Sequence, residues 1–207
     1  MKVKSMSLGP LGTNCYIVYR EGEALIIDPG GDEQKVIDFL EREKLSPKAI
    51  LLTHAHFDHI GGVDKLRSFY HIEVYLHEVE KCWLSDPALN GSSLFIGEEI
   101  TTYNPDKYLI PGKCSISSFN FEIIHTPGHS PGSVSFIFKD DSFVISGDIL
   151  FNKGIGRTDL PGGNYNQLET NIKEKLYRLP DHFIVYPGHG SETKIMEEKR
   201  SNPFITI

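Results

Sequence analysis

One short segment of the chain carries a high density of side chains that can bind metal ions. Within residues 53–59, four of the seven side chains are imidazoles or carboxylates: His54, His56, Asp58 and His59. Side chains two residues apart on an extended strand point the same way, so His54 and His56 can reach one ion. We expect a helix to begin near Gly61, and the turn into it directs Asp58 and His59 to a second position nearby. One loop can thus serve two metal ions.

Three further ligand-type residues lie at glycine-assisted turns, each next to an apolar strand pattern. His129 lies in a Pro/Gly-rich turn, Asp148 follows the run Phe-Val-Ile, and His189 follows the run Phe-Ile-Val-Tyr. Such turns let several strand ends bring side chains to one site. Any one of these residues alone would suit an ordinary polar loop. With the first loop they make five histidines and two aspartates, enough for two metal ions that share a carboxylate.

Strand and helix patterns on either side of these loops must position the ligands. In the first half, apolar periodicity predicts a helix over 32–43, with Asp32 as its N-cap, and strands over 2–8, 14–19, 24–28 and 49–52. Residues 78–84 suggest a short helix that opens a surface insertion reaching to about residue 113. In the second half, we predict a helix over 165–179 and strands over 115–119, 121–124, 133–138, 142–146 and 183–186.

Both halves therefore run from strands through a helix to a last strand and a histidine-bearing loop. Two sheets that each carry helices on one face can bury their other faces against one another. The pattern predicts an α/β, four-layer arrangement of helix, sheet, sheet and helix. The length suits a single domain spanning residues 1–207.

The composition limits the partners of the protein. The chain has 28 acidic and 21 basic residues, a formal net charge of -7, and no run of lysine or arginine. Proteins that bind nucleic acid usually present a basic surface, so we do not expect a nucleic-acid partner. No apolar run approaches the roughly 20 residues that span a bilayer, so we expect no membrane partner either. The sequence leaves the oligomeric state open.

The cysteines and the first residues bear on the location of the protein. Cys15, Cys82 and Cys114 are widely separated and form no CxxC pair, which argues against a disulfide framework. Residues 1–6 contain no apolar core of signal-peptide length. We therefore predict a cytoplasmic protein, and we expect Cys15 to be a small buried residue.

The ligand residues together resemble a known family. Residues 54–59, His-Ala-His-Phe-Asp-His, are similar to the HxHxDH signature of the metallo-β-lactamase fold. His129, Asp148 and His189 recur in the order and contexts of that family, so the resemblance covers essentially the whole chain. Within the superfamily, residues 147–151 (Gly-Asp-Ile-Leu-Phe) and 156–159 (Gly-Arg-Thr-Asp) resemble the short glyoxalase II-like hydrolases, relatives of hydroxyacylglutathione hydrolase.

The resemblance implies an αββα sandwich and a role for each ligand. A first metal ion would be bound by His54, His56 and His129, and a second by Asp58, His59 and His189, with Asp148 as the bridge. These ligands suit zinc, which we favour, and also iron or manganese. Asp28 looks like the aspartate that braces the ligand loop in this family, although it also fits a plain turn residue. Arg157 resembles a basic residue that contacts the carboxylate of the thiol, and its alternative is a structural ion pair.

The implied activity is hydrolysis of a small (hydroxy)acyl thioester in a glyoxalase II-like reaction, through a hydroxide that bridges two divalent metal ions. Asp58 would orient the hydroxide and handle its proton. The best-known β-lactamases place a cysteine among the ligands of the second metal, where this sequence has Asp148. Longer glyoxalase II enzymes add a C-terminal helical domain that holds glutathione. Because the sequence stops at Ile207, we expect that domain to be missing and the discrimination among thiol carriers to be weak.

Two other functions fit parts of the pattern. Residues 156–159 also resemble those of persulfide dioxygenases, which use a single iron bound by two histidines and an aspartate. Metal content and oxygen uptake distinguish that activity from hydrolysis. A non-catalytic metal-binding module on the same fold is the alternative from another class. A missing ligand would support it, and all seven ligands are present.

Overall fold

The computed structural model describes residues 1–206, which divide into two compact units. Unit 1 comprises Met1–Leu109 and Ser115–Phe119. Unit 2 comprises Ile110–Cys114 and the chain from Asn120 onward. The assignment of residues 1–207 to a single domain stays a prediction.

The first sheet has six strands in the order of the sequence. These are β1 (Lys2–Leu8), β2 (Thr13–Arg20), β3 (Glu23–Ile27), β4 (Ser46–Leu51), β5 (Glu73–Leu76) and β6 (Lys107–Tyr108). β1, β2 and β3 pair antiparallel, whereas β3, β4, β5 and β6 pair parallel. The helices of this part are α1 (Glu33–Arg42), α2 (Phe57–Ile60), α3 (Val63–Tyr70), a 3-10 helix (Glu78–Ser85) and α4 (Ser92–Phe95).

The parallel pairs explain where the functional loops of unit 1 lie. Parallel neighbours require a crossover, and α1 provides it between β3 and β4 by burying Val36, Ile37 and Leu40 in the core. The carboxyl ends of parallel strands meet at one edge of the sheet, where ligand-binding loops gather in α/β folds. Asp28 follows β3 at that edge, and its N–H donates to the carbonyl of Leu51 at the end of β4 (3.1 Å).

The second sheet has the strand order β14-β13-β10-β9-β8-β7. Its strands are β7 (Gly112–Ile116), β8 (Phe119–His125), β9 (Val134–Phe138), β10 (Phe143–Gly147), β13 (Ile184–Pro187) and β14 (Thr193–Lys194). A separate hairpin consists of β11 (Leu150–Phe151) and β12 (Gly154–Ile155). The α-helices here are α5 (Tyr165–Glu174) and α6 (Ile195–Ser201), and short 3-10 helices span Lys139–Asp141 and Leu176–Arg178.

α5 is anchored to the core of unit 2 and to the turn before His129. Leu168 and Ile172 are fully buried in this core. The side chain of Asn164 caps the helix by accepting the N–H of Gln167 (3.0 Å). The approach of the turn to the helix is close, because a Cβ on Gly128 (φ 141°) would lie 2.4 Å from the Leu168 Cα. Only glycine fits at this position.

Most predicted elements are confirmed, and four details were wrong. The hairpin between β7 and β8 turns at Ser117 (φ 51°), not near residue 120. Tertiary contacts decide this, since the Ser117 hydroxyl and the Ser118 N–H donate to Glu23. Helix formation after the ligand loop begins at Phe57, not near Gly61.

The other two corrections concern helix ends. Asp32 precedes α1 in a left-handed conformation (φ 46°) and does not cap it with its side chain. Its carboxylate instead accepts the N–H of Gly9 and the ammonium of Lys35. The predicted helix over 165–179 stops at Glu174 and continues as the 3-10 turn Leu176–Arg178. None of the helices within residues 1–206 combines the length and apolar character that crossing a bilayer requires.

Candidate metal centre

The four ligand-type side chains of the first loop are buried together in unit 1. His54 and His59 are 0% exposed, and His56 and Asp58 are 5% exposed. The His54 ring centroid lies 4.7 Å from that of His56 and 4.1 Å from that of His59. Potential ligand atoms lie within 4.8 Å of one another in three pairs of these residues: His54 and His56, His54 and His59, and Asp58 and His59. Imidazole nitrogens and a carboxylate grouped so closely suit a divalent cation.

The backbone changes from extended to helical inside this loop. His56 is extended (φ -67°, ψ 147°), and α2 begins at the next residue, so Asp58 and His59 lie in its first turn. Gly30 makes room for α2, since a Cβ there would lie 1.7 Å from the carbonyl oxygen of Asp58. The predicted change from extended to helical backbone in this loop is confirmed, but it comes four residues earlier than expected.

Asp28 braces the loop as the family resemblance implied. The carboxylate of this buried residue accepts the N–H of Thr53 (2.7 Å) and the Thr53 hydroxyl (2.6 Å). It also lies 3.0 Å from His59 Nδ1. Because the Thr53 hydroxyl donates to Asp28, its oxygen can accept the Nδ1–H of His54 (3.1 Å). We assign the protons of both histidines to Nδ1, which directs the Nε2 lone pairs toward a cation.

Two buried polar residues that sequence reasoning missed also contact the loop. The Thr13 hydroxyl donates to Asp58 Oδ2 at 2.6 Å. Glu80 Oε2 accepts the N–H of Ala55 at 2.7 Å. Neither had a readable signal, since Thr13 is a β-branched residue at the start of a strand and Glu80 is one of several acids in its segment.

The remaining three ligand-type residues form a second cluster, in unit 2. Asp148 is 8% exposed, and its Oδ2 lies 3.7 Å from His129 Nε2 and 3.5 Å from His189 Nε2. The Nδ1–H of His129 donates to the carbonyl oxygen of Arg157 (2.8 Å), so its Nε2 presents a lone pair. A carboxylate and two imidazoles grouped this closely suit a divalent cation.

Strand topology explains why Asp148 and His189 lie together. They follow the parallel neighbours β10 and β13, whose carboxyl ends lie side by side. The N–H of Gly188 donates to the carbonyl oxygen of Gly147 (2.9 Å) and fixes the two turns to one another. All seven predicted ligands therefore belong to one of two clusters, four in unit 1 and three in unit 2.

Comparison with known proteins identifies the family of this donor set. The sequence model of the metallo-β-lactamase superfamily matches residues 8–189, a span that contains all seven ligand-type residues. This chain belongs to the metallo-β-lactamase superfamily. The predicted family resemblance is confirmed.

Superfamily relatives match nearly the whole chain. Probable metallo-hydrolase YqgX of Bacillus subtilis (strain 168) is 50% identical over 207 residues, which cover 99% of this chain and 98% of the relative. Hydroxyacylglutathione hydrolase GloC of Haemophilus influenzae is 37% identical over 208 residues, with the same coverage of 99% and 98%. The similarity thus spans all seven ligand-type residues.

Two crystal structures also match this chain along nearly its whole length. That of BLEG-1 B3 metallo-β-lactamase is 50% identical, with a TM-score of 0.97 over 99% of this chain and 100% of its own. That of TTHA1623 in a di-iron-bound form is 38% identical, with a TM-score of 0.85 over 98% and 100% of the two chains. The chain has the metallo-β-lactamase fold, a mixed α/β fold in which helices flank the sheets, and is a metal-dependent hydrolase. The predicted fold class is confirmed.

The sequence also predicted roles for Arg157 and Cys15, which lie outside the two ligand clusters. The Arg157 side chain is 49% exposed and forms a two-pronged ion pair with Asp159 (2.8 and 2.7 Å). That hydrogen bonding lowers the pKa of Asp159 to about 2 and raises the pKa of Arg157. A substrate contact by Arg157 stays a prediction. Cys15 is buried as expected, and this burial raises the pKa of its thiol.

Proposed function

We propose that this metal-dependent hydrolase cleaves small (hydroxy)acyl thioesters in a glyoxalase II-like reaction. The observation that carries the proposal is the donor set. Its central carboxylate, Asp148, lies between two imidazoles where the best-known β-lactamases use a cysteine. The 37% identity to hydroxyacylglutathione hydrolase GloC along 99% of the chain supports the same substrate class.

We assign two divalent ions to the seven ligands. The first would be held by His54, His56 and His129, the second by Asp58, His59 and His189, and both would share Asp148. The inferred Nδ1 protonation of His54, His59 and His129 supports this assignment, because each ring then offers Nε2. Zinc is the favoured metal, and the di-iron form of TTHA1623 supports iron as the alternative to test.

Bound divalent ions supply a water nucleophile that is deprotonated near neutral pH and polarise the carbonyl under attack. Asp58 would orient that water and receive its proton, and Thr13 donates a hydrogen bond that holds Asp58 Oδ2 in place. A thiol with a pKa of about 8.5 leaves as the thiolate with little assistance from a protein acid. Arg157 would contact an anionic thiol carrier, which requires its guanidinium to exchange Asp159 for the substrate carboxylate.

The substrate class is tested by thiol release. The protein is reconstituted separately with zinc, iron and manganese, and each form is assayed with a 2-hydroxyacyl thioester of glutathione and with the same acyl group on an uncharged thiol. Release that depends on the metal supports the proposal. Absence of release from every thioester, with full metal occupancy, would contradict it.

The ligand assignment has its own test. Because Asp148 is the proposed shared ligand, Asp148→Ala is expected to lose metal from both positions and to lower thiol release at least 100-fold. Metal content is measured by elemental analysis of the purified variant. Full occupancy of both positions in this variant would show that Asp148 is not the bridge.

A second candidate function is hydrolysis of β-lactams, which the 50% identity to BLEG-1 B3 metallo-β-lactamase favours. Cleavage of an amide expels a far more basic leaving group than a thiolate, so it depends more on protonation by the enzyme. A chromogenic cephalosporin assayed beside the thioesters decides between the two. A larger kcat/KM for the cephalosporin would make lactam hydrolysis the function.

The persulfide dioxygenase alternative is tested with the iron-loaded protein. Oxygen uptake driven by a persulfide, without thiol release from thioesters, would replace hydrolysis as the activity. The small-molecule substrate, the absence of nucleic-acid and membrane partners, and the cytoplasmic location remain predictions.

A further inference from the structure

Glu80 is a buried carboxylate in the 3-10 helix Glu78–Ser85, and its side chain is 0% exposed. Burying a carboxylate is costly unless hydrogen bonds compensate it. Its Oε2 accepts the N–H of Ala55 at 2.7 Å. Ala55 separates the two proposed ligands His54 and His56, so this hydrogen bond holds the backbone between them.

The Ala55 amide lies where the backbone has no regular structure. The strand β4 ends at Leu51, and α2 begins at Phe57, so neither element provides an acceptor for this N–H. A buried N–H without an acceptor is unfavourable, and a carboxylate oxygen of Glu80 provides that acceptor. Glu80 therefore satisfies the amide and restricts rotation of the two peptide groups that orient the histidines.

Other residues of the same segment also contact the ligand loop. The Trp83 ring lies 5.6 Å from that of His56, and the carbonyl of Asn90 accepts the N–H of Phe57 (3.0 Å). The buried Asn90 amide fixes this segment by donating to the carbonyls of Trp83 and Ile100. The insertion thus holds the loop at two backbone amides on either side of His56.

We propose that Glu80 is a positioning residue, which fixes His54 and His56 for metal binding by holding the Ala55 amide. The proposal rests on the metal centre described under the proposed function. Ligands held in place before the metal arrives bind it more tightly, because less conformational freedom is lost. Without Glu80 the loop would keep its ligands but not their fixed orientation.

Three substitutions separate the contact from the charge. Glu80→Ala removes both, Glu80→Gln keeps an acceptor at the same reach without the charge, and Glu80→Asp keeps the charge but shortens the side chain. Glu198→Ala is the matched control. Glu198 is equally buried and accepts hydrogen bonds from Lys153, Thr193 and Asn202, none of which is a proposed ligand.

Two measurements are made on each variant. Zinc affinity is determined by competition with a chromophoric chelator, and hydrogen exchange of residues 53–57 is followed in the metal-free protein. We expect Glu80→Ala and Glu80→Asp to weaken zinc binding about 10- to 100-fold and to speed exchange of the segment. Glu80→Gln stays within about threefold of the unmodified protein. Glu198→Ala lowers the Tm without changing either readout.

The proposal is overturned if folded Glu80→Ala keeps the original affinity and exchange rate. It is also overturned if Glu80→Asp binds zinc as tightly as the unmodified protein, or if Glu80→Gln loses as much as Glu80→Asp. If Glu80→Ala does not fold, the comparison of Glu80→Gln with Glu80→Asp tests the proposal. Failure of the unmodified protein to bind a divalent metal would refute the metal centre instead. Hydrogen exchange of residues 53–57 would still show whether Glu80 holds the Ala55 amide in place.

Discussion

Individual side chains of this protein act through neighbours that hold them. Asp28 fixes Thr53 and His59, Thr13 fixes Asp58, and the carbonyl of Arg157 fixes His129. Outer partners of this kind orient ligands and choose the histidine tautomer. Substitution of the partner is therefore expected to weaken function while leaving every ligand in the chain.

Thr13→Val tests the support of Asp58. Valine has nearly the same shape but cannot donate to Asp58 Oδ2, so the carboxylate loses its fixed orientation toward the water. We expect kcat for thioester hydrolysis to fall about tenfold with little change in KM. Thr193→Val, which removes a buried hydroxyl bonded to Glu198, is the matched control and is expected to keep kcat. An unchanged kcat in Thr13→Val would show that the hydrogen bond has no catalytic role.

Arg157 can be tested by removing its partner. Asp159→Asn releases the guanidinium, so we expect the KM for anionic thiol carriers to fall. Arg157→Ala is expected to raise that KM. Neither substitution should alter the KM for an uncharged thioester. Equal changes for charged and uncharged substrates would mark Arg157 as structural.

The ion pair itself should be insensitive to ordinary pH. The pKa of Asp159 is lowered to about 2. The Arg157–Asp159 ion pair is therefore fully formed above the usual carboxyl pKa and is lost only as the pH falls through about 2. A KM for anionic carriers that titrates between pH 4 and 6 in the unmodified protein, but not in Asp159→Asn, would contradict this.

Whole elements place the ligand turns by close backbone contact. The turn before His129 lies directly against α5, and the loop after β3 lies directly against α2, each through a glycine that leaves no room for a Cβ. Interiors are packed so densely that one added carbon must displace an element. The positions of α2 and α5 and of the ligands beside them are therefore coupled.

Gly128→Ala tests this coupling in unit 2. The added Cβ would collide with the backbone of Leu168, and a φ of 141° is strained for alanine. We therefore expect the free energy of unfolding to fall by about 3 kcal/mol. We also expect weaker metal binding through His129. Gly22→Ala is the control, since φ is also positive (79°) but nothing lies within 4 Å, and its cost is about 1 kcal/mol. Chemical denaturation and metal titration provide the measurements. Equal losses in the two variants would exclude the packing clash as the cause.

At the scale of the molecule, each unit has its own apolar core, so we expect its secondary structure to form without metal. Unit 1 buries residues of β2, β3, β4 and α1, and unit 2 buries residues of β10, β13 and α5. Metal binding adds stability by mass action, because only the folded chain presents the assembled ligands.

Removal of metal is therefore expected to lower the Tm without unfolding the protein. At a free metal concentration of about 100 times Kd, metal binding adds about 2.7 kcal/mol to the free energy of unfolding. For a chain of this length, its loss lowers the Tm by roughly 5–10 °C. Calorimetry with and without chelator measures the shift, and far-UV circular dichroism at 25 °C should not change. Loss of the dichroism signal on chelation would show that metal is required for folding.

The sequence alone determined the residues that carry short-range patterns. Two histidines spaced by two, followed by an aspartate and a histidine just before a predicted helix, need only local backbone geometry to form a donor set. The apolar runs before Asp148 and His189 likewise predicted the strands that place them. All seven candidate ligands could be picked out in this way, and the resemblance of residues 54–59 to the HxHxDH signature indicated the family and its fold.

Tertiary structure decided the contacts between residues far apart in the chain. Thr13 and Asp58 are 45 residues apart, and Ala55 and Glu80 are 25 apart, so no periodicity relates them. The hairpin turn at Ser117 depends on Glu23, 94 residues away. Local propensity is weak compared with burial and long-range hydrogen bonding, which are settled only when the chain packs. The candidate ligands and Asp28 could thus be found by reading along the chain, whereas Thr13 and Glu80, which also hold the ligand loop, could not.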